Sequence, residues 1–204
     1  MRSRTGSADP FGAQATNEPL RRSQPRLHQQ GQEIQRYGDL RLFPIALSHD
    51  ARAESCQSLN QIVADSMILY GLYKKHHWLV RGPTFYQLHL LLDKHAEEQL
   101  KLIDLMGERV QTLGGVAIAD PRHVAEITSV PRPPDGAEDV PAMLSRLLEA
   151  HEIVIEKVRD GIRRTGQNGD DGTNDLLMSD VLRRHELQVW FVAEHAVDSP
   201  LIEG

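Results

Sequence analysis

Five side chains between positions 77 and 108 could do chemistry together: His77, His89, Asp93, Asp104 and Glu108. Imidazole nitrogens combined with carboxylate oxygens suit a first-row transition metal, being softer than a calcium set and harder than a thiolate set. On a helix, at about 100° per residue, His89, Asp93, Asp104 and Glu108 fall near 0°, 40°, 60° and 100°, so all four share one face. A rise of about 1.5 Å per residue separates Asp93 from Asp104 by about 16 Å, and one ion with bonds of about 2 Å cannot use both. His89/Asp93 and Asp104/Glu108 are therefore two half-sites. A two-fold axis that sets two copies of this helix antiparallel brings one copy's first half-site against the other's second, twice over. His77 lies five residues before Gly82 and His89 seven after it, so a tight turn at that glycine levels the two imidazoles. A single His-x-x-x-Asp or Asp-x-x-x-Glu pair is ordinarily a solvated face or an ion pair. Five donors in one register are not.

The elements needed to hold these residues are helices. Leu59, Ile62, Val63, Leu69 and Tyr73 recur at helical spacing over residues 49–80, and Pro83 stands where a second helix starts. That second helix covers residues 84–113 and stops at Gly114-Gly115. The connection that follows is long and proline-rich at 131–134, and a link of that length in a compact domain predicts a short helix at 123–127. A third helix is expected over 139–165, a turn over 166–172 and a fourth helix over 174–197. Alternating β-branched runs are lacking, which speaks against a sheet. The expected fold is all-α: a four-helix bundle with a long crossover connection carrying the short helix. Residues 1–47, rich in Gln, Arg, Ser, Pro and Gly, read as a flexible, mildly basic arm, and residues 48–204 as the bundle domain.

Composition narrows the function. The formal charge is −6, with seven arginines against five acids in residues 1–50, so the remainder carries −8. An acidic body argues against gripping nucleic acid by net charge. The single cysteine, Cys56, excludes an intrachain disulfide. The first thirty residues hold no signal-peptide core, and no apolar run reaches the roughly 18 residues of a membrane span, so a cytoplasmic protein is expected. Ferritins and bacterioferritins build a di-iron site inside one bundle from Glu-x-x-His pairs, and no glutamate here has a histidine three residues later.

The string KKHHWLVRGPTFYQLHLLLDKHAEEQLKLIDLMGERVQTLGG resembles the Dps family (DNA-binding protein from starved cells), ferritin-like mini-cages, here of a long-leader type. The resemblance spans residues 48–198, and the intervals of 12, 4, 11 and 4 between the five donors match the family pattern. It implies a ferritin-like bundle assembled as a dodecameric hollow shell. It also implies ferroxidase activity: Fe(II) oxidised by hydrogen peroxide in preference to oxygen, with Fe(III) mineral stored inside. His77, His89 and Asp93 would come from one subunit and Asp104 and Glu108 from its two-fold mate, with Trp78 and Trp190 flanking the site. Asp170, Asp171 and Asp175 resemble the acidic stretch at the three-fold pores where iron enters. The cofactor implied is iron, with zinc or manganese as competitors and no haem.

The leader departs from the family pattern. It has no lysine before Lys74, where many members carry a lysine-rich tail, so DNA binding is expected to be weak or absent at physiological salt. The rival reading is an architectural, nucleoid-associated DNA-binding protein with a minor metal role. His76, His95, His123, His151, His185 and His195 are expected at surfaces or interfaces, and Met67, Met106, Met143 and Met178 as core filler.

Overall fold

The computed structural model describes residues 25–197. Two units separate at residue 34. In the first, residues 25–34 carry no helix or strand and are exposed throughout. The second is all-helical among its described residues. It contains α1 (His49–Leu79), α2 (Phe85–Thr112), α3 (Pro121–Ile127) and α4 (Val140–Gln167). A last long rod follows, made of α5 (Asp171–Asp175), a π-helical stretch (Leu176–Leu182) and α6 (Arg183–Ala193), closed by a 3-10 turn at Glu194–Ala196.

Local chemistry sets the boundaries. Ser48 caps α1 by accepting from the Ala51 amide, Asp120 caps α3 through the Arg122 amide, and Asp139 caps α4 through the Ala142 amide. Prolines in the first turns of α3 and α4 sit where the missing N–H has no helical partner anyway. The α1–α2 turn is tight: Gly82 is at φ 101°, a left-handed conformation that costs glycine little, and the Phe85 amide donates to its carbonyl at 3.0 Å. Leu59, Ile62 and Leu69 of α1, Leu92 and Met106 of α2, and Leu147 of α4 are fully buried at the centre. Val181 and Val192 close the core from the last rod.

The expected bundle is present, with three differences. The last helix begins at Asp171 rather than 174, and it is not uniform. Its buried positions Thr173, Leu177, Val181 and His185 repeat every four residues. In an α-helix that spacing drifts by about 40° per step, and the wider π turn absorbs the drift. Second, residues 35–47, placed with the arm from their composition, lie against the bundle. The Arg41 amide and the Gln35 side chain both donate to the Gly114 carbonyl, at 2.8 and 2.9 Å, and the buried Arg52 donates to the Arg41 carbonyl at 2.7 Å. A Cβ on Gly114, at φ 89°, would overlap that carbonyl, which explains one of the paired glycines. The rest of the arm, residues 1–24, lies outside the described residues. Third, His76, His95, His151 and His185 are buried in the core instead of lying at a surface, and Met178 is exposed.

Asp170 ties the last rod to α2. Its buried carboxylate accepts from Arg109 Nη2 at 2.6 Å, from the Thr173 hydroxyl at 2.6 Å and from the Thr173 amide at 3.0 Å. Burial pushes the carboxyl up, but hydroxyl and amide hydrogen bonds and the Arg109 charge outweigh it and hold it below the usual carboxylate range. A carboxyl depressed in the folded state stabilises the fold above its unfolded value of about 3.9. That contribution is lost as pH falls through the lower folded value. Asp170→Asn is expected to cost about 1–3 kcal/mol at pH 7. The gap between variant and parent should narrow as calorimetric scans go from pH 7 to pH 3; parallel acid profiles would contradict this.

Candidate metal centre

The turn at Gly82 places His77, near the end of α1, beside His89, in the first turns of α2. The rings stack with centroids 3.8 Å apart and planes 19° off parallel, and Phe85 stacks on the outer side of His89 at 5.0 Å. Each imidazole donates from Nδ1 to the other residue's carbonyl: His77 to His89 at 2.8 Å and His89 to His77 at 2.9 Å. Both Nδ1 atoms therefore carry the proton, and both Nε2 lone pairs are left for a metal. Committing the second ring nitrogen to a carbonyl is how metal-bound histidines are ordinarily oriented. Asp93 completes the group, its Oδ1 3.8 Å from His77 Nε2. The donor set therefore fits a first-row ion from this side.

Lys74, one turn before His77, was not singled out from the sequence, although its i, i+3 spacing puts it on the same face. Its ammonium lies 2.5 Å from Asp93 Oδ1, and that hydrogen bond holds the Asp93 carboxyl below the usual carboxylate range. The ammonium occupies the position a cation would take against that carboxylate.

Asp104 and Glu108 sit further along α2, exposed, and neither forms a hydrogen bond or ion pair with any described side chain. No three described His, Cys, Asp or Glu residues of one chain converge on a metal position. Trp78 is 71% exposed beside the Lys74 ammonium, 5.9 Å from its ring. Trp190 stands on α6, packed edge-on to Phe191 and donating to Glu194. Of the three acids expected at a pore, Asp171 and Asp175 are exposed. Asp170 is 2% exposed and spent on Arg109 and Thr173, so it cannot line an aqueous opening.

With this fold and donor face in place, comparison with known proteins gives the class first. Residues 56–202 match the ferritin-like domain family. The structure of DpsC from Streptomyces coelicolor is 66% identical with a TM-score of 0.83, covering 84% of this chain and 100% of that one. A curated protein of Kitasatospora aureofaciens, described only as an uncharacterised protein in the bpoA2 5' region, is 64% identical over 148 residues, 72% of this chain and 99% of that one. The DNA protection during starvation protein of Halobacterium salinarum is 37% identical over 134 residues, 65% of this chain and 74% of that one. The chain belongs to the Dps family of ferritin-like proteins.

Removing the Lys74 ammonium frees Asp93 and takes a positive charge from beside an incoming cation. Lys74→Met is expected to tighten Co(II) binding by about tenfold, the factor carried by one charge-assisted hydrogen bond. Visible-absorption titration measures it, and weaker binding would mean that Lys74 instead orients Asp93.

Proposed function

We propose that this protein is a mini-ferritin that takes Fe(II) as its substrate, oxidises it at centres shared between two chains and stores the Fe(III) mineral in a twelve-subunit hollow shell. The observation that carries the reading is the reciprocal His77–His89 pair, which presents two Nε2 lone pairs beside Asp93. Asp104 and Glu108 of the two-fold mate would supply the remaining oxygen donors. The same face of α2 is apolar and uncovered: Tyr86, Leu90 and Leu100 are 69%, 50% and 54% exposed. They fall within about 100° of His89, among the proposed donors, so a mate that brings the carboxylates also buries them.

Hydrogen peroxide is the oxidant proposed from the family resemblance. Two ferrous ions give one electron each, the O–O bond breaks, and two protons complete two waters. Ferrous iron and peroxide are thus removed together, before a single-electron reaction can release hydroxyl radical. Asp171 and Asp175 would gather cations at the three-fold openings; Asp170 is not part of that proposal.

The test is complementation between chains. Stopped-flow assays of His77→Ala and of Glu108→Ala particles should each show fast Fe(II) oxidation lost, with calorimetry confirming that each variant is folded. Particles assembled from both variants should recover part of the activity, at about twelve times the 23.0 kDa chain mass. A monomer that oxidises iron rapidly, or mixed particles without recovery, would overturn the shared centre.

Binding to DNA, which the relatives' names suggest, is proposed to be weak. Twelve chains at −6 give a shell near −72, and any attraction must come from the leaders. Residues 1–34 carry five arginines and three acids each. With few phosphates neutralised per arm and a slope of about −0.9 per contact, retention should vanish near 0.15 M salt. Gel shifts across a salt series, with residues 1–34 deleted in a second sample, decide this. Tight binding that survives both conditions would refute it.

A further inference from the structure

The bundle interior holds a second group of chemically capable side chains, distinct from the donors on the α2 face. Tyr73 of α1 is fully buried, and its hydroxyl lies 2.5 Å from His151 Nε2 of α4 and 3.2 Å from His95 Nδ1 of α2. His151 Nδ1 lies 3.0 Å from Nδ1 of His185, three residues beyond the end of the π-helical stretch. All three histidines are 2% exposed or less. His185 Nε2 is buried with no hydrogen-bond partner among the described residues. Four elements thus each send one polar side chain into a hydrophobic core, and three contacts join them in a row.

One proton assignment accounts for the row. The 2.5 Å contact is too short for an N–H donor, whose ordinary distance to oxygen is about 2.9 Å, so the Tyr73 hydroxyl donates to His151 Nε2. His151 then carries its proton on Nδ1 and donates to His185 Nδ1, leaving the His185 proton on the unpartnered Nε2. His95 Nδ1–H donates to the phenol oxygen. Every member is neutral. Burial drives the His151 pKa well below its ordinary value, keeping the Nε2 lone pair free, and drives the Tyr73 phenol well above its own. Tyrosinate is thereby inaccessible, and an electron can leave the ring only if the proton leaves with it.

We propose that Tyr73 is a one-electron donor to strong oxidants, with His151 as acceptor of its proton, so that the bundle core can hold an oxidising equivalent as a neutral tyrosyl radical. The phenol O–H bond breaks, the electron goes to the oxidant and the proton to His151 Nε2. In the assembled protein the oxidising partner, on the iron-oxidising reading above, is hydrogen peroxide at a centre holding a single ferrous ion. The iron gives one electron and Tyr73 the other, the O–O bond breaks, and two solvent protons complete two waters. Tyr73 stands four residues before His77 on α1, about 6 Å along the helix axis. That separation is short enough for electron transfer without a ligand shared between the two.

The experiment is flash oxidation of the assembled protein by photogenerated ruthenium(III) tris-bipyridine, followed by freeze-quench electron paramagnetic resonance. A tyrosyl signal is expected in the parent and should fall about tenfold in Tyr73→Phe, which keeps the ring and loses only the hydroxyl and its hydrogen bonds. His151→Gln should shorten the radical lifetime by about tenfold. A Tyr73→Phe protein with the parent's signal and lifetime overturns the assignment, and a His151→Gln protein with the parent's lifetime overturns the proton acceptor. A second arm adds peroxide to particles holding less than one Fe(II) per centre, where the same signal is expected. Its absence despite a positive flash result overturns Tyr73 as donor to the iron centre. The flash arm uses no iron, so a failed Fe(II)-oxidation assay leaves it standing, whereas normal Fe(II) oxidation with no flash-induced Tyr73 radical overturns the relay alone.

Discussion

Two imidazoles can offer metal-binding lone pairs side by side only if their other nitrogens are engaged elsewhere. Here each engages the other's backbone, through the paired bonds between His77 and His89. Those bonds exist because α1 and α2 run antiparallel at one fixed register, and the register is set by a few residues. The Val80 amide closes α1 on the His76 carbonyl, Val80 then turns extended, Gly82 takes its left-handed φ, and Phe85 restarts the helix. A slip of one residue would swing His89 by about 100° and leave both carbonyls without their partners. The α1–α2 packing therefore serves the donors as directly as it serves the core.

The interior shows the opposite use of the same residue type. At the surface turn, histidine is held ready for a cation. In the core, His151 and His185 are kept neutral by burial, the second at a pKa of about 3, and joined to Tyr73. Beside them Gln99 donates to Gln188, and Gln188 donates to Glu98. A polar layer of this kind is costly unless its members satisfy one another, and it then fixes one packing arrangement among the helices. The π-helical stretch belongs to this layer, since it lets the last rod keep every fourth residue inward as far as His185.

Much of this was legible in the sequence because it depends on period and spacing. The helical repeats located the helices to within a few residues. The angular positions of His89, Asp93, Asp104 and Glu108 follow from helix geometry alone, as does the levelling of His77 with His89 across Gly82. What escaped depends on contacts distant in sequence. Asp170 looked like one of three equivalent acids, and only Arg109, 61 positions earlier, turns it inward. His95, His151 and His185 carry no local mark of burial, because polarity is a poor guide to burial where a partner waits on another helix. The strict four-residue repeat from Thr173 to His185 was a signal for the π turn, though an amphipathic α-helix absorbs such spacing unnoticed over one or two steps. Residues 35–47 read as arm because their composition is that of a linker, while their anchorage comes from the Gly114 carbonyl and the Arg52 guanidinium.

That anchorage has a consequence for the chain's only thiol. Cys56 lies under residues 35–47 beside Gly115, 6% exposed, with its pKa raised to about 11 chiefly by burial. At neutral pH it is almost wholly the thiol, the form that reacts slowly with alkylating reagents. A cysteine introduced elsewhere on the exterior would then be alkylated well ahead of it. Fluorophores, spin labels or gold clusters could be attached there at one per chain, with the native residue left in place.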